Sequence, residues 1–275
     1  MDVLSFSKSG RRAKLQAAPL PAEWARILER NVFPYRGLPP EDQRELQGHI
    51  QVFLAEKEFE GCGGLEITDE IRVTIAAQAC ILLLHRETDY YPGLHTILVY
   101  PSTYVAHERR WSPGGLVTEG PEPRIGEAWR HGPVVLAWDE VEADAADVRD
   151  GHNVVFHEFA HKLDEEDGVE DGTPELTRRS MYLAWARVVS REYEQLRRDA
   201  ESGRATVLDK YGAENPTEFF AVATECFFTK PVQLRRRHPE LYSELAEFYC
   251  QDPARLAEGQ ERLRSSEPPR QRRQT

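Results

Sequence analysis

The sequence has few cysteines, and they are far apart. Among its 275 residues there are four cysteines, none of them in a Cys-x-x-Cys pair: Cys62, Cys80, Cys226 and Cys250. Such wide spacing predicts buried thiols in a reducing compartment, with a disulfide between two of them as the open alternative.

Long hydrophobic runs and an excess of positive charge are also absent. The longest apolar run, residues 75–84, is too short and too interrupted to span a bilayer. The N-terminal residues MDVLSFSKSGRRAKLQ contain no apolar signal-peptide core. With 47 acidic against 35 basic residues, the net charge is −12, which argues against a nucleic-acid-binding surface. We therefore expect a cytoplasmic protein that contacts neither membrane nor nucleic acid directly.

Length and sequence pattern predict one domain with flexible termini. The chain length suits a single domain, which we place at residues 21–263. Residues 1–20 are polar and predicted to be flexible, and residues 264–275 are predicted to form a disordered basic tail. The sequence shows no internal repeat.

Hydrophobic periodicity predicts a mostly helical α+β fold with a small mixed sheet. Helices are predicted over residues 22–32, 40–57, 69–86, 153–164, 175–202 and 216–228, with short helices to about 262. Short β-branched runs separated by Gly and Pro predict strands at residues 95–100 and 133–138, and a further strand at 114–120.

One motif carries most of the chemical information. His157-Glu158-Phe159-Ala160-His161 is a His-Glu-x-x-His string inside a helix-patterned segment. Histidines four residues apart share one helix face, so both rings can bind one Zn²⁺. Glu158 can then reach a metal-bound water as a general base, the arrangement that peptide hydrolysis needs.

The alternative is a surface helix that happens to carry two histidines. Against it, apolar residues occupy more than one face of the helix, which predicts burial. Two buried histidines and a buried Glu158 need partners, and a metal ion supplies them. Asn153, after the Asp150-Gly151 turn, is the predicted N-cap.

A third ligand must come from elsewhere in the chain. Asn215 resembles an N-cap with Pro216 at the first helical position, and Glu218 and Glu225 share one face of the predicted helix. Glu218 can be a zinc ligand, or it can close a capping box onto the Asn215 amide. Spacing alone leaves these two roles open.

Several segments together resemble the Mlc titration factor A family of bacterial zinc peptidases. They include HEFAHKLD (157–164), DGTPEL (171–176), YGAENPTEFFAVATECFF (211–228) and HPELYSELAEFY (238–249). The likeness covers most of the chain, and the 211–228 segment also resembles the catalytic domain of anthrax lethal factor. The resemblance implies a zincin-like metallopeptidase domain that binds one Zn²⁺ through His157, His161 and Glu218. It also implies that Tyr211 stabilises the transition state.

The resemblance leads to two expectations about function. The first is a zinc-dependent metallopeptidase of aminopeptidase type, with Glu158 and Tyr211 catalytic, a peptide or protein substrate, and a link to sugar uptake through a transcriptional repressor. The second is a regulatory protein that sequesters such an Mlc-like repressor, with zinc structural or activity vestigial. The intact Glu158 favours the enzyme, because a structural metal site needs no base.

Other segments allow two interpretations each. The Pro133–Trp138 strand is predicted either to hold an extended substrate at an exposed edge near the metal or to be an ordinary core strand. Asp164 and Glu225 can orient ligand imidazoles or serve as plain helix acids. An acidic loop can bind a cation or can simply be solvated; its acids are Glu165, Glu166, Asp167 and Asp171.

Overall fold

Helices surround one small sheet in this structure. The computed structural model describes residues 7–102, 104–111, 117–124, 126–128, 132–146 and 151–266. The helices in these ranges are α1 (Lys8–Ala17), α2 (Ala22–Asn31), α3 (Phe33–Gly37), α4 (Pro40–Glu56), α5 (Asp69–Ile81), α6 (Trp138–Ala146), α7 (Val154–Asp164), α8 (Arg179–Glu201), α9 (Pro216–Thr229), α10 (Pro231–Arg237), α11 (Pro239–Tyr249) and α12 (Pro253–Ser266). The strands are β1 (Glu58–Gly61), β2 (Thr96–Tyr100), β3 (Tyr104–Trp111), β4 (Val117–Arg124), β5 (Gly126–Ala128) and β6 (Val134–Ala137). The predicted α+β class, mostly helical with a small mixed sheet, is confirmed.

The main sheet has the strand order β1-β2-β6-β5. β1, β2 and β6 are parallel, whereas β5 pairs with β6 in the antiparallel sense. β6 is buried at all four positions and has a neighbour on each side. The interpretation of Pro133–Trp138 as an exposed substrate-binding edge is therefore wrong, because both sides of its backbone are already paired.

A separate two-stranded ribbon follows β2. β3 and β4 pair antiparallel, with Tyr104 opposite Arg124 and Trp111 opposite Val117. The strand predicted at 114–120 overlaps β4 at residues 117–120, and its residues 114–116 lie outside the described part of the chain.

The core is built around α5, α7 and α9. α5 starts at the cap Thr68, whose side chain accepts the Ile71 amide (3.3 Å), and ten of its residues are buried. The predicted helix continued to residue 86, but α5 ends at Ile81. His85 adopts a left-handed φ of 62°, which no α-helix can contain.

Three helices were not predicted: α1, the short α3 and α6. α1 is polar and has no buried side chain, and because of this polarity its residues were expected to be flexible. It is held on α4 by polar contacts, in particular Arg12 to Glu56 (2.7 Å). α6 starts at Trp138, directly after β6, where the strand was predicted to continue.

No helix in the described ranges is both long and apolar enough to cross a membrane.

Candidate metal centre

The first half of the site is on α7. The helix begins after Asn153, whose side chain accepts the Phe156 amide (2.8 Å), as the sequence predicted. All but one of its residues are buried; the exception, His157, is half-buried. His157 and His161 project from the same face, and their rings are 4.9 Å apart. Burial of this face means that the two imidazoles must be satisfied by protein groups or by a metal ion.

The second half is on α9, which packs against α7. Asn215 caps α9 by accepting the Glu218 amide (2.9 Å), and Pro216 occupies its first turn. The Glu218 carboxylate points to the histidines instead, with Oε2 at 3.0 Å from His157 Nε2 and 3.5 Å from His161 Nε2. The cap and the candidate ligand thus use different atoms: the backbone amide of Glu218 serves the cap, and its carboxylate faces α7.

The three candidate ligand atoms form a nearly regular triangle. Its sides are 3.0 Å, 3.2 Å and 3.5 Å, between His157 Nε2, His161 Nε2 and Glu218 Oε2. Ligands at roughly 2.0–2.1 Å from a tetrahedral zinc ion are separated by about 3.3–3.4 Å. The donor set and its spacing therefore fit one Zn²⁺ with a fourth position left for another ligand.

Glu225 holds His157 from behind. Its Oε1 accepts from His157 Nδ1 at 2.7 Å, and its Oε2 accepts the Asn153 amide at 2.6 Å. Because a carboxylate only accepts, the proton of His157 lies on Nδ1 and Nε2 is directed at the metal position. Two roles were considered for Glu225, orienting a ligand imidazole or serving as a plain helix acid. The contact of its carboxylate with His157 agrees with the first role.

Asp164 contacts a different group. Its Oδ2 accepts the Gly172 amide (2.8 Å), which ties the loop after α7 to the end of that helix. In the described residues, His161 Nδ1 has no hydrogen-bond partner, and the Glu170 carboxylate is 4.0 Å away. Asp164 is therefore seen holding the loop, and Glu170 is the acid closest to the second imidazole.

Glu158 is the buried carboxylate beside the metal position. It is 4% exposed, and its Oε2 has no hydrogen-bond partner among the described residues. Burial raises the pKa of Glu158 to about 7, although the neighbouring His157 and His161 lower it. A carboxyl group with this pKa can both accept and release a proton near neutral pH.

Tyr211 reaches the site from a 3₁₀ turn, Lys210–Ala213, that precedes α9. Asp209 starts this turn by accepting the Tyr211 amide (2.8 Å). The Tyr211 ring is 6.0 Å from the His157 ring and 53% exposed. Partial burial and the Glu218 carboxylate raise the pKa of Tyr211 to about 12, so its hydroxyl stays protonated at neutral pH. A protonated phenol can donate a hydrogen bond toward the metal position.

The charges of the three candidate ligands, the triad of His157, His161 and Glu218, favour a cation between them. Burial lowers the pKa of His157, but its hydrogen bonds to Glu218 and Glu225 raise it to about 10. Burial raises the pKa of Glu218, but His157 and His161 lower it well below its usual range. Without a metal the triad therefore retains a proton, which a metal ion would displace.

Two neighbouring acids escaped the sequence analysis. Asp144 on α6 is buried, accepts the Val154 amide (2.7 Å) at the start of α7 and raises the pKa of His152 to about 9. Glu170 lies near His161 as described above. Neither residue stands at a diagnostic spacing from the motif, so only the tertiary fold identifies them.

The remaining sequence candidates occupy other positions. Trp138 is partly buried against the hydrophobic core. In the acidic loop, Asp167 and Asp171 each accept a nearby backbone amide (2.9 Å and 3.0 Å), which is a turn-forming role. The four cysteines are free thiols; Cys80 and Cys226 are buried as predicted, whereas Cys62 is half-buried and Cys250 is exposed.

β5 is the strand nearest the motif helix at the edge of the sheet. It lies beside α7 and, among the described strands, pairs only with β6.

Comparison with known proteins finds one matching family and several relatives that cover most of the chain. The family described as glucose-regulated metallo-peptidase M90 matches residues 6–250. The uncharacterized protein slr2042 of Synechocystis sp. is 44% identical over 244 residues, covering 88% of this chain and 89% of the relative. Mlc titration factor A of Serratia proteamaculans is 35% identical over 226 residues, with 80% and 85% of the two chains covered. Its namesake in Yersinia pestis is 30% identical over 262 residues, with 94% and 95% covered.

Proposed function

The chain belongs to the glucose-regulated metallo-peptidase M90 family, and from this premise we propose that it is a zinc-dependent peptidase that uses water to cleave peptide bonds. One observation carries the proposal: two imidazoles and a carboxylate form a triangle of 3.0–3.5 Å next to a buried glutamate. A purely structural zinc site would not need that glutamate.

His157, His161 and Glu218 would hold one zinc ion per chain. Bound zinc supplies Lewis-acid polarisation of the scissile carbonyl and makes water more acidic. Glu225 orients His157 through its Nδ1 proton, so that the lone pair of Nε2 is available to the metal. The same side chain anchors the start of α7, which makes ligand geometry and helix position interdependent.

Glu158 transfers the proton of the attacking water. Its carboxylate takes a proton from the attacking water and delivers it to the departing amine. A carboxylate that is ionised beside the zinc cation can accept the proton of the water, and its burial favours release of that proton to the amine. Its burial also keeps bulk water from exchanging that proton during the reaction.

Tyr211 supports the negative charge that develops on the carbonyl oxygen. Its hydroxyl stays protonated at neutral pH and its side chain is accessible to a substrate. A hydrogen bond that strengthens as the oxyanion forms contributes about 2–4 kcal/mol in comparable sites.

We further propose cleavage of aminopeptidase type, as the resemblance implies. An aminopeptidase requires a free α-ammonium group at the N-terminus of its substrate, and an N-acetylated peptide lacks that group.

The test is hydrolysis of aminoacyl and peptide chromogenic substrates by zinc-loaded protein. Glu158→Gln keeps the shape of the side chain and removes the base, so we expect hydrolysis to fall roughly 10²–10⁴-fold with zinc content unchanged. Glu142→Gln, at an exposed acid on α6, is the matched control and should keep full activity. Equal turnover in wild-type and Glu158→Gln proteins would reject the mechanism. Equal turnover of free and N-acetylated peptides would reject the aminopeptidase assignment.

A second function is favoured by the names of the relatives. Two of them are called Mlc titration factor A, which suggests a regulatory partner for this chain as well. We propose binding of an Mlc-like transcriptional repressor as the alternative role, in the cytoplasm and without direct contact to nucleic acid. If binding of such a repressor is retained in Glu158→Gln while hydrolysis is lost, sequestration does not require catalysis.

A further inference from the structure

A second group of potential metal ligands lies outside the peptidase site. Asp42 and Glu45 are one turn apart at the start of α4, and His85 is in the turn that follows α5. One potential ligand atom from each of these residues lies within 4.8 Å of the others. None of the three takes part in the chemistry proposed above.

Glu45 fixes the orientation of His85. Its Oε1 accepts the backbone amide of His85 (2.7 Å), and its Oε2 lies 3.0 Å from His85 Nδ1. The buried His49, 3.3 Å from Glu45 Oε1, holds the carboxylate from the other side. Glu45 lies on the Nδ1 side of His85, as Glu225 does for His157, and Nε2 is directed away from it.

Asp42 faces the other ring nitrogen of His85. When a neutral His85 carries its proton on Nδ1, on the side of Glu45, its Nε2 carries a lone pair. It faces Asp42 Oδ1 at 3.5 Å, and two lone pairs repel unless a proton or a metal ion lies between them. This separation exceeds the usual N–H···O range of about 2.7–3.2 Å, and it matches the roughly 3.4 Å between two ligands of a tetrahedral zinc ion.

Space for additional ligands is present next to this pair. A cavity of about 520 Å³ opens on Asp42 and His85, and Cys250 and Asp252 are on its wall. Water or a small anion in the cavity would complete the coordination that two protein ligands leave open. Imidazole together with carboxylate suits Zn²⁺ and similar divalent transition metals better than Mg²⁺ or Ca²⁺.

We infer that Asp42 and His85 bind a second divalent transition-metal ion, with Glu45 as the residue that positions the imidazole. The ion links the start of α4 to the turn after α5, distant in sequence from the peptidase motif. With only two protein ligands, this site binds zinc more weakly than the three-ligand centre.

Zinc titration of metal-free protein by isothermal calorimetry tests the inference, with stoichiometry checked by elemental analysis. Wild-type protein is expected to bind two ions, and Glu218→Ala, which removes a ligand of the peptidase site, is expected to keep the weaker one. His85→Asn suits the left-handed backbone at φ 62° but removes the imidazole. In the Glu218→Ala background it should weaken the remaining site at least tenfold and abolish the zinc-dependent rise in melting temperature.

His95→Asn, at an exposed histidine in the same connection, is the matched control and should bind as the parent does. Asp42→Asn gives an independent test if His85→Asn lowers stability without zinc. Affinity within twofold of the parent in a folded His85→Asn or Asp42→Asn protein would overturn the inference, and so would a Glu218→Ala protein that binds no zinc. Neither result bears on the peptidase site, whose failure would instead be seen as a missing tight ion in wild-type protein.

Discussion

Replacing Glu225 by glutamine tests how the candidate metal centre is held in place. Glu225 never touches the proposed zinc position, but its two oxygens accept two buried donors, the Asn153 amide at 2.6 Å and His157 Nδ1 at 2.7 Å. Glutamine has nearly the same shape and only one acceptor oxygen, so one of these donors must lose its partner.

Each outcome disturbs the site, the first at the ligand nitrogen of His157 and the second at the start of α7. If the glutamine oxygen stays on the Asn153 amide, its NH₂ group faces Nδ1, and His157 must carry its proton on Nε2, the ligand atom. If the oxygen stays on His157, the Asn153 amide is left buried without a partner, which costs about 1–3 kcal/mol. Loss of such an orienting carboxylate lowers metal affinity roughly 10–100-fold, or about 1.4–2.7 kcal/mol.

The assay is competition for zinc against a chromogenic chelator, with unfolding measured in the presence and absence of the metal. We expect Glu225→Gln to lose affinity by that factor and also to be less stable without zinc. Glu142→Gln provides a control for removing an acid from an exposed position. Zinc affinity within twofold of wild type in a folded Glu225→Gln protein would refute the reasoning.

Three further predictions concern the same centre. Glu218→Ala should remove tight zinc binding while Asn215 still caps α9; full affinity in this variant would exclude Glu218 as a ligand. Tyr211→Phe should lower kcat/KM by about 2–4 kcal/mol, or roughly 30–900-fold, with zinc content unchanged, because only the oxyanion contact is lost. Unchanged kcat/KM would assign Tyr211 to packing. The base must be ionised, so kcat/KM should fall as the pH drops through the pKa of Glu158, about 7 in the metal-free site and lower beside a zinc cation. A rate that stays constant from pH 8 to pH 4 would contradict this role for Glu158.

The sequence predicted local structure best where one helix carries its own signals. The start of α7 was predictable because Asn153 follows a turn and precedes an apolar run. The shared face of His157 and His161 follows from helical geometry alone. For the same reason Asn215 and Pro216 marked the start of α9 correctly.

Prediction failed where the deciding contact was distant in the chain. α1 is polar and has no buried residue, and Arg12 on it pairs with Glu56, which is 44 residues away in the sequence. A β-branched run predicts a strand but does not specify the neighbours of that strand. The sequence therefore allowed β6 to be an edge strand. Its burial between β2 and β5 depends on strand order, which no local pattern contains.

By itself the sequence determined the motif, the helices that carry it and the acids available as partners. It left Glu218 between cap and ligand, and Glu225 and Asp164 between orienting a ligand and serving as plain acids. The packing of α9 on α7 decided where these side chains point: Glu218 and Glu225 face His157, and Asp164 holds Gly172. The physical reason is that helix periodicity sets the face of a residue within its own helix, whereas its partner is set by which helix packs against that face.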